Sequence, residues 1–413
     1  MGKTKFIIFP LLILFPLSLS FLIYHYAIAD SFNRQFNQIV KPYIFDIGKW
    51  EVVTLSAEID NFFTDETEVS DEDTSVVKSY FSRLERIRRL EYEIMAINSG
   101  VWQGDLAASE DELIKILQQN EAAVGSVEAV LENQIREALA NQGIVNPWQE
   151  DTDYQGHFPP VNFVLDRPPR VLVISPRDRI ERMRETTLIP DIESLDAENV
   201  ETQLTELGVS ALVVEVGGMA TYPYYVTDRA DLRYVVDTIT EEWLHQYLAF
   251  KPLGFLYILD LAGIRRNFDI ATMNETLAGI VSEEIGTIIY EKYYSSGGTE
   301  DTPQPTVESA FDFGKEMREI RRTVDEYLAR GEIKQAEEFM EQKRLYLAEN
   351  GYYIRKLNQA YFAFHGAYAD SPTSINPIGN EMRQLREQSD SLKDFLETVA
   401  EMTNRRELAE SIK

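Results

Sequence analysis

The stretch that decides the fold is residues 218–247, GMATYPYYVTDRADLRYVVDTITEEWLHQY. Its aromatic, β-prone part at 221–226 predicts an exposed edge strand, and the remainder predicts a helix that follows directly. In that helix Glu241 and His245 are four residues apart, so their side chains lie one turn apart and can reach one metal ion. Glu242 places a further carboxylate beside them. The pattern is the zinc-binding HExxH motif with glutamate in place of its first histidine.

Glutamate oxygen also binds zinc, so Glu241 and His245 are predicted metal ligands and Glu242 is the predicted general base. A catalytic zinc has three protein ligands and an open position for water. Glu275, on the next predicted helix, is the leading candidate for the third ligand. The chain has no cysteine, which excludes thiolate ligands, and its four histidines disfavour a three-histidine site.

The order of these elements resembles the gluzincin class of zinc metallopeptidases. Predicted strands at 169–175 and 211–216 precede the aromatic strand and the Glu-Glu-x-x-His helix. The chain is more closely similar to bacterial predicted aminopeptidases, which combine a membrane-proximal N-terminus with three short motifs. The matching segments are 241–245, Asn-Glu-x-x-Ala at 274–278 and Leu-Asn-x-Ala at 357–360. The resemblance covers roughly residues 171–379.

The resemblance implies that His245 and Glu275 bind the metal and that Glu242 activates water. Glu241 stands where the family has histidine. A carboxylate in place of a neutral imidazole adds negative charge, which predicts a weaker Lewis acid or a harder metal. An extended peptide would add as a strand along residues 220–224. Tyr361 or His365, on a later helix, would steady the oxyanion.

The composition limits the other classes of function. The chain has 413 residues, of which 44% are hydrophobic, and this is enough for a large apolar core. Its formal net charge of −29 disfavours nucleic acid as a partner, because phosphate contacts need clustered Lys and Arg. The expected partners are a peptide or protein substrate and a membrane.

The membrane is predicted from the N-terminus. Residues 6–29 carry no formal charge, and as a helix they would span about 36 Å, enough to cross a hydrocarbon core of about 30 Å. Lys3 and Lys5 predict a cytoplasmic N-terminus, with the bulk of the chain extracytoplasmic. A cleaved signal peptide ending at 27–29 is the alternative. The uncharged run is longer than a usual signal core, which favours a single uncleaved transmembrane helix.

The rest of the chain is predicted to be mostly helical. Helices are expected at 75–96, 109–140 and 191–207, near Asn274, and from 311 onward with an interruption at 370–379. A Pro-rich connection at 147–170 suggests a boundary. The predicted division is an anchor or signal segment at 1–30, a helical region at 31–165, and a zincin-like domain with a helical C-terminal part at 166–413. The predicted fold class is α+β: a small mixed sheet with an edge strand and active-site helices, flanked by helical segments.

Three hypotheses follow for the function. The first is a membrane-anchored, extracytoplasmic zinc-dependent peptidase. The second is a pseudo-enzyme that keeps the peptidase fold and binds peptides or envelope partners without cutting them, which the missing histidine supports. The third is a carboxylate-bridged di-iron protein, because Glu242 and His245 also match Glu-x-x-His; that architecture needs a second such motif, and the sequence has none.

Overall fold

A computed structural model describes residues 31–46, 71–148, 156–261, 264–295, 311–366 and 375–412. The predicted membrane segment at 1–30 lies outside these ranges. Within them, no helix is both long enough and apolar enough to cross a membrane.

Helices dominate the described residues and small sheets account for the strands, so the predicted mostly helical α+β class is confirmed. The helices, in chain order, are α1 (31–40), α2 (Asp71–Asn98), α3 (Leu106–Glu121), α4 (Val124–Asn141), α5 (Ser194–Glu206), α6 (Leu232–Leu248), α7 (Pro252–Leu261), α8 (Phe268–Ile289), α9 (Phe313–Ala329), α10 (Ile333–Glu349), α11 (Gln359–His365), α12 (Ile378–Gln388), α13 (Leu392–Ala400) and α14 (Arg405–Ser411).

The described strands form two three-stranded sheets. They are β1 (Phe163–Leu165), β2 (Arg170–Pro176), β3 (Arg184–Leu188), β4 (Val209–Val214), β5 (Gly218–Met219) and β6 (Tyr224–Val226). The first sheet is antiparallel, in the order β3-β2-β4. The second is mixed, in the order β1-β6-β5, with β1 parallel and β5 antiparallel to β6.

The edge strand is not where the sequence predicts it. Residues 221–226 were expected to form an exposed edge, but β6 is the buried central strand of the mixed sheet, and Tyr224 is 0% exposed. The reason is packing: the Tyr224 ring stacks on Phe163 of β1, so aromatic side chains fill the core from this strand. The edge belongs to β5, Gly218–Met219.

Two helices also begin or end at residues other than those predicted from the sequence. The helix predicted at 109–140 is two helices, α3 and α4, which meet at Ala122 and Ala123. The helix predicted to open near Asn274 begins at Phe268, because the Asn267 side chain accepts the first free backbone N–H groups and caps it. Asn274 and Glu275 therefore lie inside α8, where their side chains are fixed by neighbouring helices.

The largest apolar core brings together α6, α8 and the mixed sheet with helices from the N-terminal half. Its members include Val77 of α2 and Leu131 of α4, together with Trp243 and Leu277. Residues from both sides of the predicted boundary at 165/166 therefore share this core. A second core packs α1 and α5 on the first sheet.

Helices α6 and α8 approach closely because Gly286 has no side chain. A Cβ atom there would lie 1.7 Å from Oδ1 of Asp237 on α6, so the Asp237 side chain would have to move away. The close crossing brings the two helices that carry the predicted ligands against each other along much of their length.

Candidate metal centre

Two contacts fix the orientation of helix α6 about its own axis. The Asp231 side chain caps its N-terminus by accepting from the Tyr234 backbone N–H. On the buried face, Trp243 packs in the core and its Nε1 donates a 2.7 Å hydrogen bond to the Pro159 carbonyl oxygen. The opposite face therefore turns Glu241, Glu242 and His245 toward a cleft of about 620 Å³.

The structure brings the three predicted ligands together. Glu241, His245 and Glu275 each offer one ligand atom, and these atoms all lie within 4.8 Å of one another. Two carboxylates and one imidazole form a donor set that can hold a divalent metal ion.

Asn274, which precedes Glu275 on α8, orients the imidazole of His245. Asn274 Oδ1 lies 2.9 Å from His245 Nδ1, and His245 Nε2 lies 3.5 Å from Glu275 Oε2. If Nδ1 carries the proton that Asn274 accepts, the lone pair of Nε2 points toward Glu275, as a metal-ligating histidine requires. Sequence reasoning singled out Asn274 only as part of a motif and gave it no role.

The electrostatics of this pair fit a bound cation. Glu275 Oε2 is buried and accepts no hydrogen bond from any described residue. Burial opposes a charged imidazole, but Glu275, Glu242 and Glu241 outweigh this and raise the pKa of His245 to about 10. Burial likewise opposes ionisation of Glu275, but His245, Tyr257 and Arg182 outweigh it and lower its pKa. The site thus favours a positive charge between the imidazole and the carboxylates, and a metal ion supplies one.

Glu242 lines the same cleft, beneath the edge strand. Burial raises its pKa to about 8; His245 opposes the shift, while Glu241 and Glu275 add to it. A Cβ atom on Gly218 of β5 would lie 2.5 Å from Glu242 Oε1, so only glycine allows the strand backbone to pass this close to the carboxylate.

The cleft also contains residues that sequence reasoning missed. The Tyr257 hydroxyl, on α7, donates to Glu275 Oε1, whereas His245 lies near Oε2 of the same carboxylate. Arg182 also lines the cleft and pairs with Asp260 at 2.5 Å and with Glu185 at 3.5 Å. No local pattern marks these residues, because Tyr257 lies in an apolar segment without a motif and Arg182 belongs to a loop before β3.

The structure places only one of the two residues predicted to steady the oxyanion in the lining of the cleft. His365 lines the cleft, and burial lowers its pKa to about 4, so the imidazole is neutral at pH 7. Tyr361 is outside the set of residues that line the cleft; its ring packs on His365 with centroids 4.3 Å apart. Two other tyrosines, Tyr234 and Tyr257, line the cleft, and Tyr257 donates to the predicted ligand Glu275.

In comparisons with known proteins, no protein-family model, curated protein or solved structure matches this chain. The interpretation of the site therefore rests on its own geometry.

Proposed function

We propose that the protein is a zinc-dependent peptidase with a zincin-like arrangement of edge strand and active-site helices. The observation that carries the proposal is the position of Glu242. Its carboxylate lies in one cleft with the Glu241–His245–Glu275 group and directly beneath the backbone of β5. A base, a metal-binding group and a strand edge are the three parts that hydrolysis of an extended peptide needs.

Glu241, His245 and Glu275 would hold the ion. Bound zinc lowers the pKa of its water to about 7 and polarises a carbonyl oxygen. Asn274 keeps the His245 ring in the ligating orientation, and Tyr257 does the same for the Glu275 carboxylate.

Glu242 would be the general base. A carboxylate whose pKa has been raised toward the working pH can accept a proton from the attacking water and return it to the leaving amine. Burial is the largest cause of that shift, so the packing around the carboxylate also prepares the base.

The substrate would bind as an additional strand on β5. Among the described strands, β5 pairs only with β6, so its other edge is available to an extended peptide. A peptide in that position would cross Glu242, because the carboxylate contacts the β5 backbone at Gly218. The sequence of residues 6–29 adds the proposal that the protein is anchored in a membrane, with the cleft on the extracytoplasmic side.

A second candidate function, a peptide-binding pseudo-peptidase, is favoured by one specific observation. Glu241 gives the site a second carboxylate where the resembled family has an imidazole, and Glu242 beside it is a third. This charge weakens the metal as a Lewis acid, so binding can persist where hydrolysis is lost.

Peptide hydrolysis by the full chain, purified in detergent and loaded with zinc, tests the proposal. The purified protein is incubated with a peptide library, and cleaved bonds are identified by mass spectrometry. Glu242→Gln should lower the rate by a factor of 100 or more while metal content stays unchanged, since only proton transfer is lost. The control is Glu283→Gln, the same substitution at an exposed position on α8.

The outcomes separate the two functions. Cleavage that requires Glu242 supports the peptidase. If the zinc-loaded wild type binds peptides without cleaving them, the peptidase function is wrong and the peptide-binding pseudo-peptidase takes its place.

A further inference from the structure

Helix α7 exposes an apolar face although it is packed against the core. Its inner side buries Leu253, whereas Phe255, Ile258 and Leu261 are 43–55% exposed on the outer side. Ile264, just beyond the helix, is 74% exposed. These four residues, called the α7 face below, are large apolar side chains exposed to solvent within ten positions of the chain, and such a group in a soluble protein marks an interaction surface.

Two cations follow the α7 face directly. Arg265 and Arg266 are both exposed, and Arg266 donates to the backbone oxygen of Arg182. They stand out in a chain whose net charge is −29. Apolar residues flanked by arginine are the pattern of a helix that lies in the interface of a bilayer containing anionic lipid.

The residues that follow the predicted membrane segment are connected to α7 by side-chain contacts. Helix α1 begins at residue 31, immediately after the uncharged run at 6–29. Near its start, Asn33 Oδ1 accepts a 3.5 Å hydrogen bond from Arg184, whose guanidinium lies 3.9 Å from the centroid of the Phe36 ring.

A short path leads from there to α7. Arg184 is two residues from Arg182, a span of at most about 7 Å. Arg182 in turn contacts Asp260 on α7 at 2.5 Å. The first residues after the predicted anchor are thus joined to α7 through one short segment.

We propose that the α7 face lies in the interfacial region of the bilayer that residues 6–29 enter, with Arg265 and Arg266 at anionic lipid phosphates. This rests on the membrane anchor of the proposed function and is independent of peptide hydrolysis. The adjacent anchor and the two arginines favour a lipid surface over a second copy of this acidic chain as the partner.

The contact has a consequence for substrate choice. Ile258 and Leu261 belong both to the α7 face and to the lining of the metal cleft. The cleft therefore opens beside the membrane surface, and the substrates it reaches first are peptide segments close to the bilayer, such as the ends or loops of membrane proteins.

The experiment uses the absence of native cysteine. Ile258→Cys in the full chain is labelled with an environment-sensitive fluorophore and reconstituted into vesicles of phosphatidylcholine and phosphatidylglycerol. Quenching by spin-labelled lipid then measures contact with the bilayer. The matched control is Ile114→Cys, an isoleucine of similar exposure on α3, which packs against α2.

The proposal predicts at least threefold stronger quenching of the label at position 258 than at 114. Arg265→Glu with Arg266→Glu should lower quenching at 258 in these vesicles and leave flotation of the protein with the vesicles unchanged. Equal quenching at 258 and 114 in protein that floats with the vesicles would overturn the α7 contact and leave the anchor standing. Protein that does not float would overturn both. A label at position 258 that is not quenched by lipid, but becomes more shielded from water as more protein is added per vesicle, would also overturn the contact. That result would assign the α7 face to a second copy of the chain.

Discussion

His245 Nε2 and Glu275 Oε2 lie 3.5 Å apart, although they belong to two different helices. The imidazole is turned by Asn274 and the carboxylate is held by Tyr257, so neither group is free to rotate away. A nitrogen lone pair and an anionic oxygen repel each other at this distance unless a positive charge lies between them. A proton on the imidazole supplies such a charge, and Glu275, Glu242 and Glu241 favour it against burial by raising the pKa of His245 to about 10. We infer that a metal ion replaces it.

A histidine at position 241 should increase activity. In Glu241→His a neutral imidazole replaces a carboxylate, so a bound metal keeps more of its positive charge. We expect kcat/KM for peptide hydrolysis to rise about tenfold, equivalent to about 1.4 kcal/mol of transition-state stabilisation. Glu283→His, on the exposed side of α8, should have no effect. An unchanged kcat/KM at full metal occupancy would contradict this explanation of the substitution.

The Asn274 side chain should control metal affinity through His245. Asn274→Ala removes the hydrogen-bond acceptor at Nδ1, and the loss of such a partner typically weakens binding by about 10–100-fold. The Kd for zinc can be measured by competition with a chelator. Asn274→Asp keeps an acceptor in the same place and should retain most of the affinity. Equal affinities for the alanine variant and the wild type would mean that Asn274 has no role in orienting the ligand.

A methyl group at Gly218 should impair catalysis more than stability. In Gly218→Ala the new Cβ would lie 2.5 Å from Glu242 Oε1 and 2.7 Å from Thr238 Cγ2, so the carboxylate must move. We expect kcat to fall about tenfold or more, with the melting temperature nearly unchanged. At Gly125 on α4 nothing lies within 4 Å of the added atom, so Gly125→Ala is the control. Full activity of Gly218→Ala would argue against Glu242 as the base.

His365 should make the protein less stable in acid. Burial lowers its pKa from 6.5 to about 4, so between these values the unfolded state binds more protons than the folded state. The contribution of His365 to the free energy of unfolding is therefore complete above about pH 6.5 and is lost as the pH falls toward 4. Its upper limit is about 3 kcal/mol. In His365→Phe the decrease in melting temperature from pH 7 to pH 4.5 should be smaller. An equal decrease in both proteins would show that His365 does not carry this dependence.

The parts of the fold that depend on local pattern were predictable. The strands expected at 169–175 and 211–216 correspond to β2 and β4, and the helix expected at 191–207 corresponds to α5. The spacing of Glu241 and His245 predicted a shared direction on α6, and the order of the motifs predicted that Glu275 would join them.

What depends on long-range packing was not predictable. The segment around Tyr224 has the composition of an edge strand, but its pairing with β1 and β5 and its packing in the main core bury it. Tyr257 and Arg182 reach the cleft because α7 and the loop before β3 pack beside α8, and nothing in their local sequence indicates that meeting. The exposed side of α7 could not be predicted for the same reason. Apolar residues are expected in the core, and only the packing of the neighbouring elements shows which of them remain exposed.

Metal content tests the central claim most directly. The full chain is purified without chelator, equilibrated with zinc, freed of excess metal and analysed by elemental mass spectrometry, beside Glu275→Gln, His245→Ala and the control Glu283→Gln. We predict about one zinc per chain in the wild type and the control, and a loss of at least tenfold in the two site variants. A wild type that retains no metal, or site variants that retain as much as the wild type, would contradict the account.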